Sequence, residues 1–111
     1  NDPVSFVPRS LKIDPNGEEA KALGLEIKKF YHGDREVSEE NLSEFIDFMT
    51  DFHFLTPQTI SNELHSQSNP KSKQFLYEFW FDGDLNHYKK ILMMDEIPGA
   101  GHGDDVFYLF R

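Results

Sequence analysis

The sequence has no cysteine and no long hydrophobic run, and each absence excludes a class of structure. Without cysteine, the 111 residues contain neither a disulfide nor a thiolate metal site, although the redox compartment stays open. No apolar stretch approaches the ~20 residues that a membrane-spanning helix needs, and no basic region followed by an apolar one stands at the N-terminus. The sequence therefore predicts no membrane segment in this chain, and secreted and cytoplasmic locations both stay open.

Basic residues are also scarce. Eleven Lys and Arg against twenty Asp and Glu give a formal net charge of −9. A charge of this sign repels phosphate backbones and anionic lipid surfaces. Nucleic acid is therefore not expected to be a partner.

Aromatic residues, in contrast, are abundant for a chain of this length. It contains eleven Phe, four Tyr and one Trp, within a hydrophobic content of 38% that is sufficient for a modest core. So much aromatic surface in a short chain is typical of a face that other protein covers. We expect the chain to pack against the remainder of a larger domain.

Apolar residues recur at helical spacing over much of the sequence, with capping residues and glycine or proline at the predicted boundaries. The predicted helices span Glu18 to about His32, Ser38 to about His53, Thr56 to about Gln67 and Leu85 to Met94. A further helix is expected to begin near Asp104 and Asp105, because carboxylates are favourable in a first helical turn.

Residues 75–81 show a different period. Aromatic and other apolar residues alternate there so that both faces are apolar, as in a strand that is covered on each side. The chain offers no second convincing strand, and an isolated strand leaves its backbone donors and acceptors unmatched. The sequence therefore predicts an α/β fold, mainly helices plus one buried sheet strand at about 75–81, whose sheet neighbours are missing from the chain.

A single histidine, His102, lies in a glycine-rich turn between Pro98 and the final apolar run. Small neighbours leave its ring accessible and permit backbone angles that are closed to other residues. The simplest alternative is an incidental histidine at a junction between a loop and a helix.

Two other interpretations of the turn are weaker. His102 with Asp104 and Asp105 offers at most three metal ligands within four residues, without a second histidine at a recognised ligand spacing. A phosphate-binding loop would need the lysine that is absent here. The sequence therefore predicts neither a metal nor a cofactor.

The segment from Pro98 to Phe110 resembles the region around the catalytic histidine of type-B carboxylesterases, the esterase and cholinesterase branch of the α/β-hydrolases. Insect carboxylesterases show the resemblance in particular. Three further motifs recur in that family in the same order and at similar spacing: residues 28–34, 48–57 and 75–82. The resemblance extends from about Phe6 to the last residue.

This resemblance implies a partial α/β-hydrolase fold, with residues 1–111 forming a fragment from the C-terminal half of a single catalytic domain and no internal boundary. It implies a carboxylesterase that uses a Ser-Glu/Asp-His triad and an acyl-enzyme intermediate, with His102 as general base and acid. Neither a G-x-S-x-G nor a His-Gly-Gly-Gly motif occurs here. The serine is thus expected outside this chain. The resemblance implies that the acidic partner also lies upstream of the matched region, so the chain alone is expected to be inactive. Asp104 and Asp105 are assigned to helix capping.

Two aromatic residues are candidates for binding the substrate, a small carboxylic ester. The resemblance implies that the helix junction near Phe54 borders the substrate gorge, and Tyr88 is close in sequence to the histidine turn. For Phe54 the alternative is aromatic packing between helices, and for Tyr88 it is a ring that simply covers the predicted strand. A different class of function is a catalytically inactive cholinesterase-like protein used for protein contact, which needs only the scaffold. The intact His102 favours the enzyme.

Overall fold

A computed structural model describes residues 2–110, which form two compact units, one up to residue 72 and one from residue 73. The helices are α1 (Glu18–His32), α2 (Leu42–Thr50), α3 (Thr56–Ser68), α4 (His87–Ile91) and α5 (Val106–Leu109). Single turns of 3-10 helix lie at Pro3–Phe6, Arg9–Leu11 and Glu39–Asn41, and a π-helical turn lies at Asp51–Leu55. No helix among the described residues is long and apolar enough to cross a bilayer.

Helix α1 confirms its predicted limits. It begins with Glu18 and Glu19 in the first turn, where the helix dipole favours carboxylates. It ends at Gly33, which has a φ of +64° and donates its N–H to the carbonyl of Lys29 at 2.9 Å. Only glycine adopts such a backbone conformation readily, so the glycine at position 33 determines where α1 ends.

Aromatic packing forms the core of the first unit. Phe6, on the first 3-10 turn, is buried between α1 and α2, with its ring centroid 5.7 Å from His32 and 5.1 Å from Phe48. The backbone of this turn lies directly on α1 at Gly24. A Cβ atom there would meet the carbonyl oxygen of Pro3 at 2.1 Å, so the close approach requires glycine.

The junction between α2 and α3 differs from the prediction of a helix end near His53. The backbone stays helical from Leu42 to Ser68, and the turn at Asp51–Leu55 widens so that Thr56 donates its N–H to the carbonyl of Asp51. Pro57 lacks an N–H, and inside a regular α-helix its ring clashes with the carbonyl four residues earlier. The π-helical turn, with its longer hydrogen-bond spacing, accommodates the proline without ending the helix.

The predicted buried strand at 75–81 is wrong. These residues are irregular, and no strand occurs among residues 2–110, so the α/β assignment and the partial α/β-hydrolase fold are contradicted. Several aromatic side chains of the stretch are exposed, among them Phe75 at 88% and Trp80 at 77%. Alternating residues form a strand only where a neighbour pairs with their backbone groups, and the described residues provide none.

Polar contacts hold the second unit together. Its buried side chains are Asn86, Lys89 and Asp104. The Asn86 amide oxygen accepts from the Gly83 N–H at 3.1 Å and from the Tyr108 hydroxyl at 2.7 Å, while its NH₂ donates to the carbonyl of Phe81 at 3.1 Å. A single side chain thereby joins the turn before α4 to α5.

We predict that Gly24→Ala loosens the Pro3–Phe6 turn although alanine is the better helix former. In an unobstructed helix the change would stabilise by about 1 kcal/mol. Here the new methyl group overlaps the Pro3 carbonyl, so the turn must move away from α1. Hydrogen exchange by mass spectrometry on the full-length protein should show faster exchange in residues 3–11. Leu25→Ala, at an exposed position of the same helix, is the control. Unchanged exchange in Gly24→Ala contradicts the prediction.

We also predict that residues 1–111 produced alone do not unfold as a cooperative domain. Among the described residues only Phe6, Ala20 and Phe48 are buried apolar side chains. Ordering the backbone costs about 1–2 kcal/mol per residue, which so small a core does not offset. Scanning calorimetry is expected to give no sharp heat-absorption peak. A sharp transition in a monomer, with protected amides in residues 75–81, would refute this.

Candidate active site around His102

His102 lies in the turn that leads into α5, and its side chain is exposed. Glycines with positive φ stand on both sides, Gly99 at +94° and Gly103 at +86°. Residues other than glycine rarely adopt these backbone angles. The glycines therefore permit the backbone conformation of the turn, and the imidazole of His102 reaches solvent.

Asp104 is completely buried and joins this turn to α4. Its Oδ1 accepts hydrogen bonds from the N–H groups of Tyr88 at 3.0 Å and Lys89 at 3.3 Å, while Oδ2 accepts from the Gly101 N–H at 2.7 Å. Tyr88 and Lys89 are in the first turn of α4, where amides have no acceptor within the helix. Asp104 thus caps α4, whereas its sequence position predicts a cap for the helix that follows.

Asp105 precedes α5 but makes no side-chain cap there. Its carboxylate accepts a hydrogen bond from the Tyr77 hydroxyl at 2.8 Å, and this bond raises the pKa of Tyr77. The capping assignment of Asp105 is therefore also corrected, and both carboxylates next to His102 have hydrogen-bond partners elsewhere in the unit.

A second set of hydrogen bonds, from Lys89 and Asp82, holds the turn at Gly99. Lys89 is buried, and its Nζ donates to Asp82 Oδ2 at 2.6 Å and to the Gly99 carbonyl at 2.9 Å. The same Asp82 oxygen accepts from the Gly99 N–H at 3.0 Å. The hydrogen bond from Lys89 lowers the pKa of Asp82, so this carboxylate is charged at neutral pH. Both backbone polar groups of Gly99 are thereby held.

Tyr88 lies against the histidine turn. Its ring is so close to Gly103 that a Cβ atom there would come within 3.0 Å of it, and its centroid is 5.1 Å from that of Phe107. The side chain is 45% exposed. The ring of Tyr88 therefore lies against Gly103, the residue that follows His102.

Phe54 belongs to the first unit and lies in the π-helical turn. Its side chain is 47% exposed, and its ring centroid is 6.4 Å from that of His53. The turn that accommodates Pro57 thus presents an aromatic ring at the surface of its unit.

The described residues contain no group of three or more His, Asp and Glu side chains that could hold a metal ion. What they do offer is an exposed imidazole on a backbone that is fixed at two points. An imidazole takes up and releases a proton near neutral pH, which is the requirement for general acid and base catalysis.

Sequence reasoning missed the residues that support this turn. No sequence motif singles out Lys89 or Asp82, and the sequence position of Asp104 predicts a cap for the wrong helix. The contacts of Asp104 with α4 join residues 15 and 16 positions apart, and those of Gly99 with Lys89 and Asp82 span 10 and 17. No local spacing rule relates such positions, so no sequence signal marks them.

Comparisons with known proteins identify the family. The sequence model described as "Carboxylesterase family" matches residues 6–111. The chain is also 27% identical over 108 residues to Esterase B1 of Culex pipiens, an alignment that covers 94% of this chain and 19% of that protein. No solved structure matches the chain significantly. The predicted resemblance is therefore confirmed, and the chain belongs to the carboxylesterase family.

Proposed function

We propose that this chain is the histidine-bearing part of a carboxylic ester hydrolase and that His102 is its general base and acid. The observation that carries the proposal is the exposed imidazole on a fixed glycine turn, within a segment that matches the carboxylesterase family. The similar Culex pipiens protein is named as an esterase, which supports the same reaction class.

The chemistry requires a serine nucleophile and an acidic residue, both supplied by the parent protein outside this segment. His102 accepts the serine proton while the serine oxygen attacks the ester carbonyl. The imidazolium then donates that proton to the departing alkoxide, which leaves an acyl-enzyme. Water repeats the sequence, with His102 accepting its proton and returning it to the serine as the carboxylic acid leaves. The acidic residue orients the imidazole and stabilises its charged form.

The exposed apolar side chains are proposed to form the surface that packs against the rest of the parent protein. They include Phe75, Tyr77, Trp80 and Phe81 in the second unit and Phe30 in the first. Exposed aromatic surface on this scale is typical of a face covered by protein. The segment then contributes one histidine, and the parent contributes the other catalytic groups.

Phe54 and Tyr88 are each proposed to bind the ester substrate in the complete parent enzyme. For Tyr88 the support is its contact with Gly103, next to the proposed general base. For Phe54 the support is the family resemblance of the helix junction and its exposed position on the π-helical turn. Apolar side chains of this kind select the acyl group by size.

We predict that His102→Ala in the full-length protein lowers kcat for p-nitrophenyl acetate about 10³-fold or more, while KM changes little. Removal of the base leaves only the binding and electrostatic contributions to catalysis. His65→Ala, an exposed histidine on α3, is the matched control and should retain activity.

Circular dichroism must show that each variant is folded. Turnover of His102→Ala within about tenfold of the unmodified enzyme would mean that His102 is structural. A folded parent with no ester hydrolysis at all would favour the inactive, protein-contacting relative.

We predict that Tyr88→Ala and Phe54→Ala change the preference between acetyl and hexanoyl esters. Each side chain that binds the ester should alter the ratio of the two kcat/KM values about tenfold, the scale on which an apolar pocket discriminates by size. Tyr88→Phe retains the ring and is the control for Tyr88. If stability falls while the ratio stays constant, the residue is a packing residue only.

A further inference from the structure

We infer that Asp104 is a positioning residue for His102, because its buried carboxylate fixes the histidine turn to the first turn of α4. The inference rests on the proposed function of His102 and concerns the geometry that this function requires. Asp104 itself touches neither the substrate nor the reacting atoms.

Burial makes the Asp104 carboxylate dependent on its hydrogen bonds. The Asp104 side chain has 0% exposure, and a buried carboxylate is tolerated only when hydrogen bonds replace its hydration. Three backbone N–H groups supply them, two from α4 and one from the turn. Among the described residues the nearby ammonium of Lys89 binds Asp82 and Gly99 instead. The carboxylate therefore depends on both backbone segments staying in place.

The two carboxylate oxygens of Asp104 bind different backbone segments. Oδ1 binds α4, and Oδ2 binds Gly101, the residue directly before His102. On the other side of His102, Gly103 lies against the ring of Tyr88, which is also part of α4. The backbone on both sides of the histidine is thus held against α4. Asp104 makes the polar contacts, and the ring of Tyr88 makes the apolar one.

A general base needs a fixed position relative to its nucleophile. It must stay within hydrogen-bond reach of its nucleophile, about 2.6–3.2 Å, and a displacement of about 1 Å can cost about 100-fold in rate. Asp104→Asn keeps the shape of the side chain but replaces one acceptor oxygen with an NH₂ donor. The asparagine can then accept from α4 or from Gly101, but it no longer accepts from both.

The test uses the full-length esterase with p-nitrophenyl acetate and a fluorophosphonate probe that labels the active serine. For Asp104→Asn we expect kcat to fall about 10- to 100-fold while KM stays within about threefold. The rate of probe labelling should fall in parallel, whereas the end point should still count a full set of folded sites. Asp95→Asn removes the same charge from an exposed position before the turn and should match the unmodified enzyme.

A second variant covers the case in which Asp104→Asn yields no folded enzyme. Asp104→Glu keeps the charge and both acceptors, so α4 can still be capped, but the longer side chain shifts Gly101 and with it His102. The same loss of kcat per labelled site is expected. A kcat per site within threefold of the unmodified enzyme in either folded variant overturns the inference, as does a loss explained wholly by fewer labelled sites.

The two sets of variants distinguish failure of the positioning role from failure of the proposed function. If His102→Ala abolishes turnover but the Asp104 variants keep kcat per site, the proposed function stands and the positioning role is wrong. If His102→Ala retains turnover, the proposed function fails, and the positioning role fails with it.

Discussion

The second unit depends on the hydrogen bonds that the buried carboxylate of Asp104 accepts. Among residues 73–110 the buried side chains are polar, and each has its hydrogen-bonding groups matched within the unit. A buried charge that loses its partner costs several kcal/mol, whereas a fully matched network stabilises a single arrangement. Order in this unit therefore comes from a few matched polar groups, and its apolar side chains contribute little burial.

These polar contacts fix the backbone of the turn while the side chain of His102 stays exposed. Gly99 is held through both its N–H and its carbonyl, and Gly101 through its N–H. None of these contacts involves the imidazole of His102. Functional groups commonly lie on loops that a rigid scaffold positions. The turn that carries His102, the proposed general base, is held by a short helix and by the distant carboxylate that caps it.

The first unit is built differently. Phe6 and Phe48 pack with neighbouring rings at centroid distances of 5–6 Å, and Gly24 allows the first turn to lie directly on α1. Exposed rings remain on both units, among them Phe30 and Trp80. Since the chain spans 19% of the length of Esterase B1, these rings fit the proposal that other parts of a larger esterase cover them.

Local sequence determined the features that depend on neighbouring residues. The acids of α1 and Gly33 mark that helix from Glu18 to His32, and the motifs around His102 identify the carboxylesterase family. Tertiary structure decided the rest. Residues 75–81 have the alternation of a strand, but a strand requires a pairing partner that no local pattern supplies. Asp104 has the sequence position of a cap for α5, yet folding places its carboxylate at α4, where free amides lie within hydrogen-bond reach. Spacing along the chain specifies which groups can bond locally, whereas the partner of a buried carboxylate depends on which distant backbone groups the fold brings to it.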